Sequence, residues 1–271
     1  MSWDWLEQDG LKYIYLPEWD SLEVTAAFTT RVGGLSQNAY ESLNLGLHVG
    51  DDPRKVLENR ERTMSGLGVS LVDVVCAEQV HGTQVAVVEM KDKGRGAVSF
   101  ADSLPGYDAM ICNTPEVYLM TFYADCLPIY FFDHKKRVIG LAHSGWKGTV
   151  GRIVEATISA MAKTYNCNES DIYAFIGPGI GGECYPIDDE RKNEVERVFT
   201  FTDTIVYPID KGRYNWNLKL TNYTILRNLG IPETNIDVCE LCTSCNEDLF
   251  FSYRGSGGKT GRMAAILGLR E

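Results

Sequence analysis

Histidine is scarce in this chain, with four among 271 residues. A trinuclear copper cluster together with a blue-copper site needs more imidazoles than that. Long apolar runs are missing too: none approaches the roughly 18 residues that cross a bilayer. The opening Met1-Ser2-Trp3-Asp4-Trp5-Leu6-Glu7-Gln8-Asp9 has neither the basic nor the apolar stretch of a secretory signal, so no export is expected. Positive charge is in deficit, 26 Lys and Arg against 37 Asp and Glu, for a net charge of -11. That balance argues against a nucleic-acid partner, yet leaves room for a small anion held by a few local donors. Repeats, low-complexity tracts and linkers are absent, so residues 1–271 read as a single domain. The helical HExxH pattern and the zinc-deaminase H-x-E with P-C-x-x-C are also absent. The glycine-rich Gly177-Pro178-Gly179-Ile180-Gly181-Gly182 is followed by Cys184-Tyr185-Pro186 instead of a helix, which disfavours a dinucleotide site and leaves an anion nest or a plain turn.

Three short strings are present instead: Gln79-Val80-His81-Gly82, Ala124-Asp125-Cys126-Leu127-Pro128, and His143-Ser144-Gly145-Trp146-Lys147-Gly148. Two imidazoles and a thiolate are the donor set of a zinc site that keeps one position open for water or substrate. Such an ion brings the pKa of bound water toward neutrality. His143 falls where a strand gives way to a helix, so Lys147 and the helix start after Gly148 would suit an anion. The same string could equally be a tight turn whose histidine caps a carbonyl. Local spacing does not bring the three strings together. Arg31, in Thr30-Arg31-Val32-Gly33-Gly34, is a candidate clamp for phosphate or carboxylate. Cys239-Glu240-Leu241-Cys242-Thr243-Ser244-Cys245 resembles part of an iron–sulfur run without its fourth Cys-Pro element, and lacks the second ligand pair of a zinc knuckle. In a chain of this size without a signal, its eight cysteines read as thiols, metal ligands or a nucleophile before disulfides.

The pattern predicts a mixed α+β fold, one mixed β-sheet flanked by helices. Helices are expected from Pro53 (capped by Asp52) to about Ser65, over 149–165, over 189–199 and over 218–229. Strands are expected over 24–30, 72–76, 85–89, 118–123, 129–132, 137–142, 172–176 and 263–267, with short ones near Ile236 and Phe250. Pro128 suits an edge or a turn.

Taken in order, Thr29 to Ser36, Ser42 to Gly46, His48 to Asp52, Asn59-Arg60, the three strings, Gly177 to Gly181, Cys242-Thr243 and Thr260-Gly261-Arg262 resemble the YfiH family. Its members are also called laccase-like multicopper polyphenol oxidoreductases and are described as purine nucleoside phosphorylases; the chain resembles the bacterial YlmD-type members in particular. The resemblance implies a YfiH-like fold, zinc held by His81, Cys126 and His143, and a cytoplasmic location. It also implies phosphorolysis of adenosine, inosine, guanosine or methylthioadenosine, and deamination of adenosine. Two places depart from the family: Tyr185-Pro186-Ile187 stands where many members have Tyr-Glu-Val, and Arg254-Gly255 where many have paired arginines.

With what the resemblance implies, the expectation is a metal-dependent enzyme for purine nucleosides and phosphate, its oligomeric state, monomer or dimer, left open. Water activated at the ion would attack the purine carbon bearing the amine, with Asp125 shuttling the proton. Phosphate would be held by Arg31, Lys147 and the N–H groups after Gly148. The rivals are a copper oxidase using His81, Cys126 and His143 with Met120 as a weak ligand, a metal-free hydrolase with Cys126 as nucleophile and His143 or His81 as base, and a binding module whose zinc only stabilises the fold.

Overall fold

Side-chain alternation along the strands dictates the layering. In Tyr118–Tyr123, Leu119 and Tyr123 face one way while Tyr118, Met120 and Phe122 face the other. In Met263–Leu269, Ala265 and Leu267 share the side of Leu119, and Ala264 and Ile266 share that of Met120. Tyr130 and Phe132 of Leu127–Asp133 join Leu119 and Leu267, whereas Ile129 and Phe131 turn outward to a third cluster. Both faces of the central strands are therefore buried, and these strands read as continuous apolar runs, while the edge strand Asp4–Gln8 is largely exposed.

The computed structural model describes residues 2–271 and has four layers. Helix Pro53–Gly66 and its neighbouring loops cover a seven-stranded sheet ordered Asp4–Gln8, Leu11–Tyr15, Val24–Thr29, Met263–Leu269, Tyr118–Tyr123, Val74–Glu78 and Leu104–Pro105. A six-stranded sheet packs against it, ordered Ile236–Val238, Ile172–Ile176, Leu127–Asp133, Val138–Ser144, Ala109–Cys112 and Val85–Val87. Helices Ile153–Tyr165 and Leu218–Asn228 close the far side. A small sheet of Pro186–Asp188, Arg213–Trp216 and Val206–Asp210 sits beside helix Asp189–Val198. No helix among the described residues is long and apolar enough to cross a membrane.

Strand directions explain where the site lies. Val74–Glu78, Leu104–Pro105 and Tyr118–Tyr123 run parallel, so their C-terminal ends meet at one end of the larger sheet. Each then feeds a strand of the other sheet, through residues 79–84, 106–108 and 124–126. The receiving strands Val85–Val87, Ala109–Cys112 and Leu127–Asp133 all run one way. A fourth connection, residues 239–262, returns from Val238 to Met263 at that same end.

Several expectations are corrected. The one expected sheet is three, because the string at Cys126 is a passage between layers, and burial on both flanks hides that from an apolar pattern. The helix expected over 149–165 is two, Trp146–Val150 and Ile153–Tyr165, broken at Arg152 with φ 64. Residues Leu71–Asp73 form a 3-10 turn before the strand begins at Val74, and the strand from Val85 stops at Val87. Phe250 lies in a loop, its N–H donating to the Asn246 carbonyl. Pro128 occupies the second position of a central strand, where its carbonyl accepts the Gly177 N–H.

Candidate metal centre and substrate cavity

The three strings converge because each sits where the chain passes, or stops, at that common end. Residues 79–84 carry His81 and residues 124–126 carry Cys126. His143 lies in the antiparallel strand Val138–Ser144, whose register sets Ser144 opposite Leu127. One ligand atom from each of His81, Cys126 and His143 falls within 4.8 Å of the others. The two imidazoles meet edge to face, with ring centroids 4.8 Å apart and planes at 75°.

Asp108 holds this arrangement, and sequence reading passed over it. It lies in the crossing 106–108 and is buried. Its Oδ1 accepts the His81 N–H at 2.9 Å and pairs with His143 Nδ1 at 2.8 Å; its Oδ2 accepts the N–H groups of Val80 at 3.1 Å and Gly82 at 2.6 Å. The carboxylate thus clamps the left-handed turn at His81 (φ 61) and fixes the proton of His143 on Nδ1, leaving Nε2 for Cys126 and a metal. Gly145 supplies the space: a Cβ there would stand 2.7 Å from Cys126 Sγ and 3.4 Å from His81 Cδ2. Burial alone would push the Cys126 thiol up, but the neighbouring imidazoles of His143 and His81 outweigh it and bring it down to about 6. Burial would lower His143 as well, yet the Cys126 thiolate and the Asp108 carboxylate raise it to about 9. Each partner thus favours the charged form of the other.

The triad stands in the wall of a cavity of about 710 Å³, within the roughly 300–1,000 Å³ of small-molecule sites. Its aromatic faces come from Phe122, Trp146, Tyr185 and Tyr253, and its cations from Arg254 and Arg262. Asp125 also lines it, but its carboxylate is engaged by three donors: Thr243 Oγ1 and Ser252 Oγ, each 2.7 Å from Oδ1, and the Arg254 N–H, 2.7 Å from Oδ2. It ties the return loop 239–262 against Cys126.

The residues expected to hold phosphate lie elsewhere. Arg31 donates to the carbonyls of Glu41 and Glu247 at 2.7 and 2.8 Å and stacks on Phe251, so it pins two loops and lies outside the cavity wall. Lys147 faces an outer groove shared with Glu194 and Arg197. Gly148 packs under the strand end, where a Cβ would meet the His143 carbonyl at 3.2 Å. The cavity's own cations are Arg254, at one of the two departures from the family, and Arg262, which stood in the family pattern without an assigned role. Arg254 sits 5.5 Å over Tyr185; Arg262 donates from Nη1 to the carbonyls of Thr260 and Gly261, both at 2.9 Å. His48 also lines the cavity, tilted against Phe100 and edge-on to Phe122, while His134 bonds the Asp171 carbonyl at 2.9 Å and is not part of the triad's cluster. Met120 is buried on the outer face of the larger sheet and offers the triad no sulfur. The cysteine run divides: Cys239 joins the core between the sheets, while Cys242 and Cys245 meet Cys184.

Donor chemistry, the Gly145 cradle and the Asp108 support together fit one metal ion with an open position facing the cavity. That combination defines a class: two packed sheets carrying a candidate His2Cys metal site at the end where the chain passes between them. The chain belongs to the family described as multi-copper polyphenol oxidoreductase laccase, whose pattern matches residues 25–270. It is 39% identical over 249 residues to the purine nucleoside phosphorylase YlmD of Bacillus subtilis (strain 168), covering 92% of this chain and 90% of that protein. It is 41% identical over 247 residues to the protein of the same name from Geobacillus stearothermophilus, covering 91% and 90%. The crystal structure of the hypothetical protein YfiH of Bacillus licheniformis superposes with a TM-score of 0.94 at 36% identity over 99% of both chains. That of YlmD from Geobacillus stearothermophilus gives 0.93 at 39% over 98% of both.

Proposed function

We propose that this protein is a metal-dependent purine nucleoside phosphorylase working in the cytoplasm, with His81, Cys126 and His143 as both metal ligands and catalytic residues. The observation that carries this reading is the convergence of the triad within a cavity that pairs aromatic faces with two arginines. The names of the relatives point the same way. Zinc is the ion we favour: two imidazoles and a thiolate leave it one open position, and four histidines are too few for a multicopper cluster. Bound there, the ion would act as a Lewis acid toward a substrate oxygen.

The chain's own residues do the rest. Tyr185 and Tyr253 offer faces to the purine, excluding water from the glycosidic bond. Arg254 and Arg262 hold phosphate against the ribose while a phosphate oxygen bonds to C1′ and the C1′–N9 bond breaks, the electron pair leaving with the base. Asp125 keeps Arg254 in place through the backbone N–H it accepts. Deamination of adenosine and phosphorolysis of methylthioadenosine are further activities we assign to this cavity.

A second reading has its own observation. A Cys126 thiol brought down by the adjacent imidazoles, with His143 in turn supported by Asp108, is the arrangement of a cysteine nucleophile. Elemental analysis and an adenosine-plus-phosphate product assay on one sample separate the two. About one triad-bound zinc per chain with adenine released supports the phosphorylase. Full activity in both His81→Ala and Cys126→Ala would refute it. Activity in metal-stripped protein, abolished by alkylation of Cys126, would favour the hydrolase.

A further inference from the structure

We infer that Cys184, Cys242 and Cys245 form a second site for a thiophilic metal ion, separate from the triad. One sulfur from each lies within 4.8 Å of the others, and Cys184 Sγ is 3.2 Å from Cys245 Sγ. Two thiolates on one zinc, each with a bond of about 2.3 Å, stand roughly 3.8 Å apart. A small side-chain rotation reaches that spacing from here. All three cysteines are free thiols.

The backbone is built around the sulfurs. Cys242 and Cys245 have the C-x-x-C spacing of half a zinc knuckle, and the missing partner comes from 58 or more residues away, out of reach of a local pattern. The glycine-rich loop brings it close. Gly179 forms a parallel bridge with Cys242, and the Thr243 N–H donates to the Gly179 carbonyl at 3.2 Å. The Gly181 N–H donates to Cys242 Sγ at 3.1 Å, as amides do toward metal-bound thiolates. A Cβ on Gly181 would press on Cys242 Cβ and Sγ at 3.1 and 3.2 Å. Cys184 and Cys242 are half-buried and Cys245 exposed, so an ion has a route in and solvent supplies a fourth ligand. Three sulfurs with no nitrogen or oxygen donor select a soft ion, zinc or monovalent copper.

The position gives such an ion a task. Tyr185 follows Cys184 and lines the cavity; Thr243 follows Cys242 and holds Asp125. An ion on the three sulfurs would lock the wall bearing Ile180 and Tyr185 to the loop that orients Asp125 and Arg254.

The test uses full-length protein purified with reductant and loaded with zinc or, as a spectroscopic probe, cobalt. Wild type should hold about two zinc ions per chain, and Cys245→Ser, at an exposed position, about one. His81→Ala/Cys126→Ala should keep about one ion and an ultraviolet thiolate-to-cobalt band, which further substitution of Cys184 by Ser abolishes. Unchanged zinc content in Cys245→Ser would overturn the inference. So would a folded His81→Ala/Cys126→Ala protein without the cobalt band, or an intact mass showing a Cys184–Cys245 disulfide in reductant-treated protein.

Discussion

Replacing Asp108 by Asn is the sharpest probe of how the triad is held. The amide is nearly the same shape but has one acceptor where the carboxylate has two. Oδ1 takes His81 N–H and His143 Nδ1; Oδ2 takes the N–H groups of Val80 and Gly82. Whichever way the amide turns, its NH2 faces two groups that were donating. Two bonds to a buried charge are then lost, at roughly 1.5 kcal/mol each for a total of about 3 kcal/mol. In a chain of this size that lowers Tm by about 6–12 °C in metal-free protein. Should the NH2 face His143, the imidazole turns its proton to Nε2 and accepts at Nδ1, which removes the lone pair it offers a metal. Loss of such a supporting carboxylate costs about 10–100-fold in metal affinity. Zinc competition against a chromogenic chelator, with thermal denaturation of the stripped protein, reads both effects. Wild-type zinc affinity and an unchanged Tm in Asp108→Asn would refute the clamp.

Gly145→Ala places a methyl 2.7 Å from Cys126 Sγ and should abolish zinc binding at the triad while circular dichroism stays native. Arg254→Ala and Arg262→Ala should each raise the phosphate KM at least about 10-fold, the value of one charge-assisted contact. Arg31→Ala should leave that KM alone and cost about 1–3 kcal/mol of stability, read by urea denaturation, through its lost bonds to Glu41 and Glu247. In stripped protein the Cys126 thiolate persists down to about pH 6, so iodoacetamide labelling of Cys126 should fall as pH drops through that value, and zinc should block it at pH 7. A labelling midpoint near that of an ordinary thiol would contradict the imidazole contacts.

How much of this was legible in sequence follows from what is local. Caps and glycine stops placed the helix from Pro53, since Asp52 accepts the Arg54 N–H within its own turn. The strings at His81, Cys126 and His143 stood out because polar, glycine-bearing motifs interrupt buried strands. What brings them together is strand direction across two sheets, which no window of residues contains. Asp108 went unnoticed for the same reason: Gly106-Tyr107-Asp108-Ala109 looks like any strand entrance, and its four partners lie 26 or more residues away. Arg31 and Lys147 were chosen for charge beside a turn; the direction in which a loop side chain leaves the backbone decided otherwise. Cys239 and Cys242 look equivalent in the run, yet one points into the inter-sheet core and the other toward Cys184.

The repeated passage of the chain between sheets at one end has a mechanical consequence. The triad is a seam: the segments carrying His81 and Cys126 each have one foot in either layer, so the layers cannot part there without pulling the ligands from one another. An ion binding only the native state would reinforce this seam for the entire body of the protein. Amide exchange in Val24–Thr29, deep in one sheet, and in Ile172–Ile176, in the other, should therefore slow together when zinc is added, as though a single rivet had been set through two plates.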